Sequence, residues 1–532
     1  MAAPTTDSQR SAHQPRPAPV TRPQAARSRW RLSRTAPLVI WPAVALLVLY
    51  AVFYMQLAAQ LIAYPYDVDQ GEGFDTWSAW TIRQGQLPYT DNDEYPYYSS
   101  NYPPVWSAVV ALPLALLGPA LGAGRAVSTL AALASALLIG LATGQLTSRQ
   151  GRRGGPIMAG LFAAGLFLAS PYVFHTTPLA RVNTLALCLG LLGVSLVAQP
   201  TRLRIGLAAV ALSLALFTKQ TTADAAIAAV ASVLLARPPR GLALGGTLAV
   251  VAVAGTAALS LATGGAFWLN VVAGNANPFD TRQLLEYAAN FTAVHPLVLI
   301  LAASEMSAAW RARRWAPWPI YWVAAAVGAL SAGKVGAGES YFLSLIAASC
   351  VLAAVRLSAL LDAAIEANTP RIGLALGGAL LAQALLLSHG PLSEVTPLLA
   401  DHGFQAPLLG RPPTDADRRA GDVISAEIAT HAGDVLAEEV GFVVVAGKPV
   451  IGNPTHLRNL SEAGLWDPDE LVAAIDRHDF ALVIVSAQRF PSPVLDAIGR
   501  SYYVVQSVTV RGFAYNLFLP GGDEPSASEA EE

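Results

Sequence analysis

The chain has 532 residues, 54% of them hydrophobic and 13% charged, with a mean hydropathy of +0.44 and a formal net charge of −2. So apolar a composition excludes the ordinary soluble classes and predicts a polytopic membrane protein. Two cysteines, Cys188 and Cys350, both inside apolar runs, exclude a disulfide framework and read as small buried hydrophobes.

The small net charge hides an asymmetry. Residues 1–34 carry seven Arg and one Asp, whereas residues 391–532 carry 21 acidic against nine basic side chains. A basic start and an acidic end predict termini on opposite sides of a bilayer. Residues 1–36 read as a disordered cytoplasmic tail whose run from Arg27 to Arg34 rests on anionic headgroups. Residues 37–390 read as the transmembrane domain. A spanning helix needs roughly 20 apolar residues, and eleven stretches qualify: 37–61, 123–147, 156–175, 182–199, 203–218, 221–237, 241–263, 291–309, 317–333, 340–361 and 371–389.

The stretch 104–119 is short, contains Pro113 and is predicted not to cross. With the N-terminus inside and this stretch interfacial or re-entrant, Arg149/Arg152/Arg153, Arg202/Arg204, Arg237/Arg240, Arg311/Arg313/Arg314 and Arg371 all fall on the cytoplasmic side. If it crossed, those clusters would all turn outward. The first outer loop (61–121), Asp280, Glu286, Glu339, Arg181, Lys219 and Lys334 then share the outer face.

The first outer loop gathers four carboxylates, Asp67, Asp69, Glu72 and Asp75, within nine residues, and eleven aromatic rings between Tyr64 and Trp106. Phe74, Trp77 and Trp80 recur at helical spacing. They predict an interfacial helix over 75–84 with its rings in lipid, capped by Asp75 or Thr76 and closed by Gly85. A solvated acidic loop beside an aromatic belt is the plainer reading. The chemical reading is a site for a hydroxyl acceptor, or for a hard cation such as Mg²⁺ or Ca²⁺.

Further along, Lys219 is one of only three lysines and sits among Thr218, Gln220, Thr221 and Thr222 at a helix junction. It is a candidate functional cation at the outer face, although a terminal lysine also snorkels. Arg181 is second. Asp224, one turn inside the next span, is predicted to pair with Lys219. His175 and His295 read as capping or core residues. Tyr102, Pro103 and Pro104 set the loop's direction.

After Gly390 the pattern changes to a predicted extracytoplasmic α/β domain (391–520). Residues 442–453, 480–487, 502–510 and 514–520 read as strands, and 415–432, 467–477 and 491–499 as helices. An acidic tail (521–532) follows.

The run D-x-D-x-G-E-G from Asp67 to Gly73, the amphipathic helix, and Tyr102-Pro103-Pro104 before a short apolar helix resemble the first outer loop of GT-C membrane glycosyltransferases. They are similar to the family 39-like group that includes protein O-mannosyltransferases and the lipid A aminoarabinose transferase. GRAVSTL (Gly124 to Leu130), LARVNTLAL (Leu179 to Leu187), LFTKQTT (Leu216 to Thr222) and GAGESYFL (Gly336 to Leu343) extend the resemblance over roughly residues 37–360. Asn183 stands where that group has Asp, and Glu339 where it has Asn.

The resemblance implies a multi-pass enzyme of a bacterial-type plasma membrane with a GT-C-like fold. It would move a sugar from a polyprenyl-phosphate donor to a hydroxyl acceptor on a glycan, lipid or protein, with inversion. Glu72 or Asp69 is then the base, and Lys219 and Arg181 hold the donor phosphate. Asp67, Tyr102, Asn183, Asp224, Glu339 and Tyr341 are candidate substrate contacts. No nucleic acid is expected. A transporter, and a non-catalytic binder of lipid-linked glycans, are the competing readings.

Overall fold

The computed structural model describes Met1 and residues 36–151, 155–367, 369–387 and 411–521. The basic tail before residue 36, Arg152, Arg153, the junction 388–410 and the acidic tail from residue 522 lie outside the described residues. In chain order the apolar part forms α1 (Ala36–Ala63), α2 (Gly71–Arg83), α3 (Val105–Leu117), α4 (Leu121–Arg149), α5 (Pro156–Ala169), α6 (Pro171–Thr176), α7 (Val182–Val197) and α8 (Arg202–Leu216). Then come α9 (Ala223–Ala236), α10 (Pro238–Ala262), α11 (Thr281–Val294), α12 (Pro296–Arg311), α13 (Pro317–Ala329), α14 (Leu343–Glu366) and α15 (Pro370–Leu386).

Helix occupies each of the eleven predicted stretches. Among the described residues, four single helices are long and apolar enough to cross a membrane, those within α1, α4, α10 and the segment Glu339–Glu366. A fifth arises if α11 and α12, bent by 91° at their junction, form one span. The shorter helices, at about 1.5 Å per residue, fall short of a hydrocarbon core about 30 Å thick. Short segments lengthen several of them, such as α6 after α5 and the 3₁₀ turn Leu330–Gly333 after α13.

α14 is the centre of the bundle. In its apolar window 83% of residues are buried, against 11% for α10, which is therefore the lipid-facing edge. The run LIAASCVLAAV explains this, because small side chains on all faces let neighbouring helices approach. Close approach also fixes α4 on α5. A Cβ on Gly140 would lie 3.1 Å from the Gly160 carbonyl oxygen, and one on Gly160 would lie 2.5 Å from that of Gly140.

The arginine-rich helix ends meet at one side of the bundle. Arg240 donates to Pro200 O (2.7 Å), Gln150 to Glu305 (3.2 Å), and Arg314 approaches Glu305 at 4.0 Å. The opposite side carries the residue 64–104 loop and the C-terminal unit. That unit comprises α16 (Asp415–Thr430), β1 (Asp434–Ala437), α17 (Gly441–Val445), α18 (Pro454–Glu462), α19 (Asp469–Asp476), β2 (Phe480–Val485), α20 (Ser492–Ser501), β3 (Tyr502–Val510) and β4 (Phe513–Pro520). Its strands form one sheet, ordered β1-β2-β4-β3, with β1 and β2 parallel and the other pairs antiparallel. The expected strand over 442–453 is absent. Its apolar start forms α17, with Phe442, Val443 and Val444 buried, and only Ile451 bridges to Leu436. A short apolar run fits a buried helical turn as well as a strand. β1 and α18 were not anticipated.

The helix beginning the outer loop also departs from expectation. α2 starts at Gly71, so Asp75 and Thr76 lie inside it. Gly85, at φ +83°, does end it. Its rings do not face lipid in common. Phe74 is buried, stacked on Tyr98 with centroids 6.3 Å apart, in a core shared with Ile424, Val435 and Phe442 of the C-terminal unit. Trp80 packs instead on Trp106 and Val110 of α3. α2 is thus a spacer between membrane helices and C-terminal unit.

One buried pair positions it. Arg125 of α4 donates from Nε and a terminal nitrogen to the two oxygens of Glu72 (2.8 and 2.7 Å). Its remaining hydrogens go to the carbonyls of Leu61 (2.7 Å), Tyr64 (2.5 Å) and Tyr66 (2.7 Å). Both side chains are fully buried. Removing one partner of such a pair strands the other charge, at a cost of about 3–5 kcal/mol. Arg125→Met should therefore lower the unfolding temperature of the detergent-purified chain sharply. A melting curve matching wild type would remove this pair from its structural role.

Candidate functional site

Between the helix ends and the C-terminal unit lies a cavity of about 350 Å³. Of the predicted site residues, Asp69, Tyr102, Arg181, Asn183, Lys219, Glu339 and Tyr341 line it. Glu72, Asp67 and Asp224 do not.

The four acids of the first loop have separated. Glu72 accepts from Arg125 and also from the amides of Ala180 (2.7 Å), Val68 (2.9 Å) and Asp69 (3.3 Å). Burial raises its proton affinity, but Arg125 and these donors outweigh burial and hold the carboxyl below its ordinary range. A carboxylate so engaged takes no proton from a substrate, which corrects its assignment as base. Asp67 is buried and accepts from the Gly441 amide at 2.6 Å, so it docks the C-terminal unit and does not line this cavity. Burial and the nearby Glu439 push its carboxyl well above the ordinary range.

Asp69 and Asp75 remain together, on either side of Arg181. The Arg181 Nε lies 3.3 Å from an Asp69 oxygen and 3.5 Å from an Asp75 oxygen. The Asp69 side chain is 36% exposed and that of Asp75 6%, so Asp69 faces the cavity more openly. Burial pushes Asp75 up to about 7, against the pull of Arg181 and with the Asp69 charge reinforcing it. Arg181 precedes α7 in extended backbone, and its guanidinium lies 5.8 Å from the Tyr102 ring centroid. Burial disfavours its charge, but Asp75 and Asp69 prevail and hold it above the ordinary arginine range. A Cβ on Gly71 would collide with this guanidinium, which accounts for glycine there.

Lys219 is set by the end of α8. Thr218 Oγ1 donates to Leu214 O (2.7 Å), Thr222 Oγ1 to Ala215 O (3.0 Å), and the Lys219 amide to Ala215 O (2.9 Å). The side chain is buried, with Nζ donating to Asn183 Oδ1 at 2.6 Å and lying 4.3 Å from the Tyr341 ring centroid. Burial, with Arg181 and Lys334 nearby, lowers its pKa to about 7. The expected pairing with Asp224 is not formed. Asp224 accepts from the Ala225 amide (2.6 Å) and lies in a smaller adjoining cavity that also touches Lys219 and Asn183.

Glu339 is buried, and neither carboxylate oxygen has a hydrogen-bond partner among the described residues. Sequence reasoning missed Lys334 as a cavity residue, Asn275 and Asn277, and the C-terminal contribution of Asn453, His456, Arg458, Asn459 and Arg489. Periodicity carries no signal for contacts so distant in the chain. His295 has the core role read for it, bonded to Ser170 (2.9 Å) and Phe291 O (3.0 Å).

The acidic run does not fit a cation cage. Among the described residues no three His, Cys, Asp or Glu side chains are grouped to hold a metal. The two acids still together already flank a guanidinium. Five cationic side chains (Arg181, Lys219, Lys334, Arg458, Arg489) against three acidic ones (Asp69, Asp75, Glu339) line the cavity. The lining therefore carries a formal charge of +2 and suits an anion.

No family model matches the sequence, and no curated protein is similar to it. The fold does have solved counterparts. ArnT from Cupriavidus metallidurans bound to undecaprenyl phosphate superposes with a TM-score of 0.58 at 17% identity, covering 89% of this chain and 97% of that one. Its apo state gives 0.59 at 16%, covering 89% and 98%. The apo Archaeoglobus fulgidus oligosaccharyltransferase gives 0.50 at 12%, covering 91% and 75%. These are GT-C membrane glycosyltransferases, and the present chain has that fold.

The lowered Lys219 pKa fixes a direction for pH dependence. An anion binds the protonated lysine, so binding is strong below pH 7 and fades as pH rises through 7. Protonation of Asp75 in the same range acts in the same sense. Sulfate, whose charge is constant between pH 6 and 8, should bind the full chain several-fold more tightly at pH 6, and Lys219→Met should flatten most of that slope in calorimetric titrations. A flat wild-type profile would show that no such titration occurs.

Proposed function

We propose that the chain is a membrane glycosyltransferase that moves a sugar from a polyprenyl-phosphate donor to a hydroxyl acceptor on the extracytoplasmic face. The observation that carries the reading is the convergence of Lys219 and Arg181 with Asp69 in a cationic cavity at the ends of the membrane helices. The fold shared with ArnT, whose structure holds undecaprenyl phosphate, supports a lipid-borne phosphate as its anion. The arginine-rich ends opposite the cavity support an outward-facing site, by the positive-inside rule.

The chemistry follows from charge. A sugar phosphodiester carries one negative charge. When the bond between the anomeric carbon and the phosphate oxygen breaks, its electron pair stays on phosphate and a monoester dianion departs. Lys219 and Arg181 oppose the charge that develops there. The acceptor oxygen bonds to the anomeric carbon from the opposite face, which inverts it, and its proton passes to a carboxylate. Asp69 takes that role, since Glu72 is committed to Arg125 and Asp75 is the more enclosed. Arg181 couples the two events: a phosphate that draws the guanidinium toward itself loosens its hold on Asp69, and the freed carboxylate becomes the stronger base. Tyr102, Asn183, Glu339 and Tyr341 border the space left for the sugar.

Transfer of radiolabelled sugar from a polyprenyl-phosphate donor tests this. Asp69→Asn should lose about 10²–10⁴-fold and Lys219→Met about 10²–10³-fold in turnover. Glu72→Gln should act mainly on melting temperature, with activity per folded molecule kept within several-fold. Wild-type turnover in both the Asp69 and Lys219 variants would refute the reading. Flux of free substrate across proteoliposomes without transfer would favour transport instead.

A further inference from the structure

The C-terminal unit does more than roof the cavity. α18 turns one face to it: Thr455, Arg458 and Asn459, spaced i, i+3 and i+4, line the wall, while Leu457 and Leu460 are buried on the other side. Arg489 joins them from the loop after β2. That loop is held by a buried carboxylate. Glu438, 1% exposed at the end of β1, accepts from the amides of Ser486 (2.7 Å), Ala487 (2.8 Å), Arg489 and Phe490 (3.4 Å). Gln488, between those donors, has φ +53°, a conformation that costs a non-glycine residue energy.

The result is a rigid presentation of Arg489. Its guanidinium Nε is shielded from water without a hydrogen-bond partner among the described residues, and its charge acts on the buried Glu439 carboxyl, lowering that group's proton affinity. Arg458 has only a 4.0 Å approach to the exposed Glu462, a contact that contributes little. Two arginines that form no close ion pair among the described residues thus face the cavity from the side away from the membrane helices. Lys219 and Arg181 face it from the helix ends. A lipid-linked donor stays in the bilayer and meets the second group first.

We propose that Arg458, Asn459 and Arg489 form an acceptor subsite for a phosphate or carboxylate carried by the acceptor. This rests on the glycosyltransferase reading in naming the acceptor, but not in asserting an anion site on this wall. Arginine suits it because its planar fork meets either oxyanion with two parallel hydrogen bonds.

Binding to the purified full chain in detergent tests the proposal without any transfer step. The probes are glucose 6-phosphate and glucuronate for the two anion types, glucose as the neutral control, and farnesyl phosphate for the donor side. Arg489→Gln, alone or with Arg458→Gln, should weaken one or both anionic sugars at least tenfold. It should leave glucose and farnesyl phosphate within about twofold, and Arg489→Lys should recover part of the loss. Loss confined to glucose 6-phosphate names phosphate as the acceptor's group, and loss confined to glucuronate names carboxylate. Unchanged affinity for both in the double variant overturns the proposal. So does an equal loss for farnesyl phosphate, which would place the arginines in the donor site. If Lys219→Met leaves farnesyl phosphate binding intact while the arginine effect persists, the donor assignment fails and the subsite stands.

Discussion

Everything at the cavity depends on the Arg125 guanidinium. Arginine has five N–H donors, and here all five are used, two on Glu72 and three on the carbonyls of Leu61, Tyr64 and Tyr66. The Leu61 and Tyr64 carbonyls lie where α1 runs out, and the carbonyls of a helix's last turn have no partner within the helix. A side chain of α4 therefore caps α1, while the same side chain anchors the second residue of α2. Glu72 extends the connection to the start of α7 through the Ala180 amide. Four helices meet at one ion pair, and Arg181, one residue beyond Ala180, is placed by it.

This arrangement divides the labour among acids that look equivalent in the sequence. Asp67, Asp69, Glu72 and Asp75 are close in the chain, yet they face four environments: the Gly441 amide, the open cavity, Arg125, and the enclosed flank of Arg181. Helix geometry accounts for the separation. With α2 beginning at Gly71, Asp67 and Asp69 are on the loop before it, while Glu72 and Asp75 are one turn apart and look toward different arginines. Proximity in sequence suggested a shared cation. Distribution among separate partners is what keeps four carboxylates tolerable in so small and dry a volume.

The features legible in the sequence were those set by local composition and by long-range charge bias. Eleven helical stretches, the Gly85 stop and the grouping of Lys219, Arg181, Asn183, Glu339 and Tyr341 followed from hydropathy, turn chemistry and motif resemblance. The misses share a cause. Glu72 was expected as a base from the motif resemblance, yet the glycines beside it do not mark an open loop. Gly71 in fact makes room for Arg181, and a Cβ on Gly73 would lie 2.7 Å from the Gly441 amide nitrogen. The rings of α2 looked lipid-facing because nothing in their spacing announces the C-terminal unit some 350 residues later that covers Phe74. Packing between distant segments decides both, and no window of one sequence contains it.

The same covering explains the behaviour of Lys219. At a bare membrane edge a lysine would snorkel to water and keep its ordinary basicity. Here the C-terminal unit closes the cavity opposite the helix ends, the Lys219 ammonium is buried against Asn183 and the Tyr341 ring, and two further cations press on it. Its polar neighbour is a neutral amide, where an Asp at position 183 would have supplied a counter-charge inside the protein. With its pKa lowered to about 7, the Lys219 charge is one that an anion beside it would favour. The Asn183 departure from the family pattern thus leaves Lys219 hydrogen-bonded to a neutral amide instead of paired with a carboxylate.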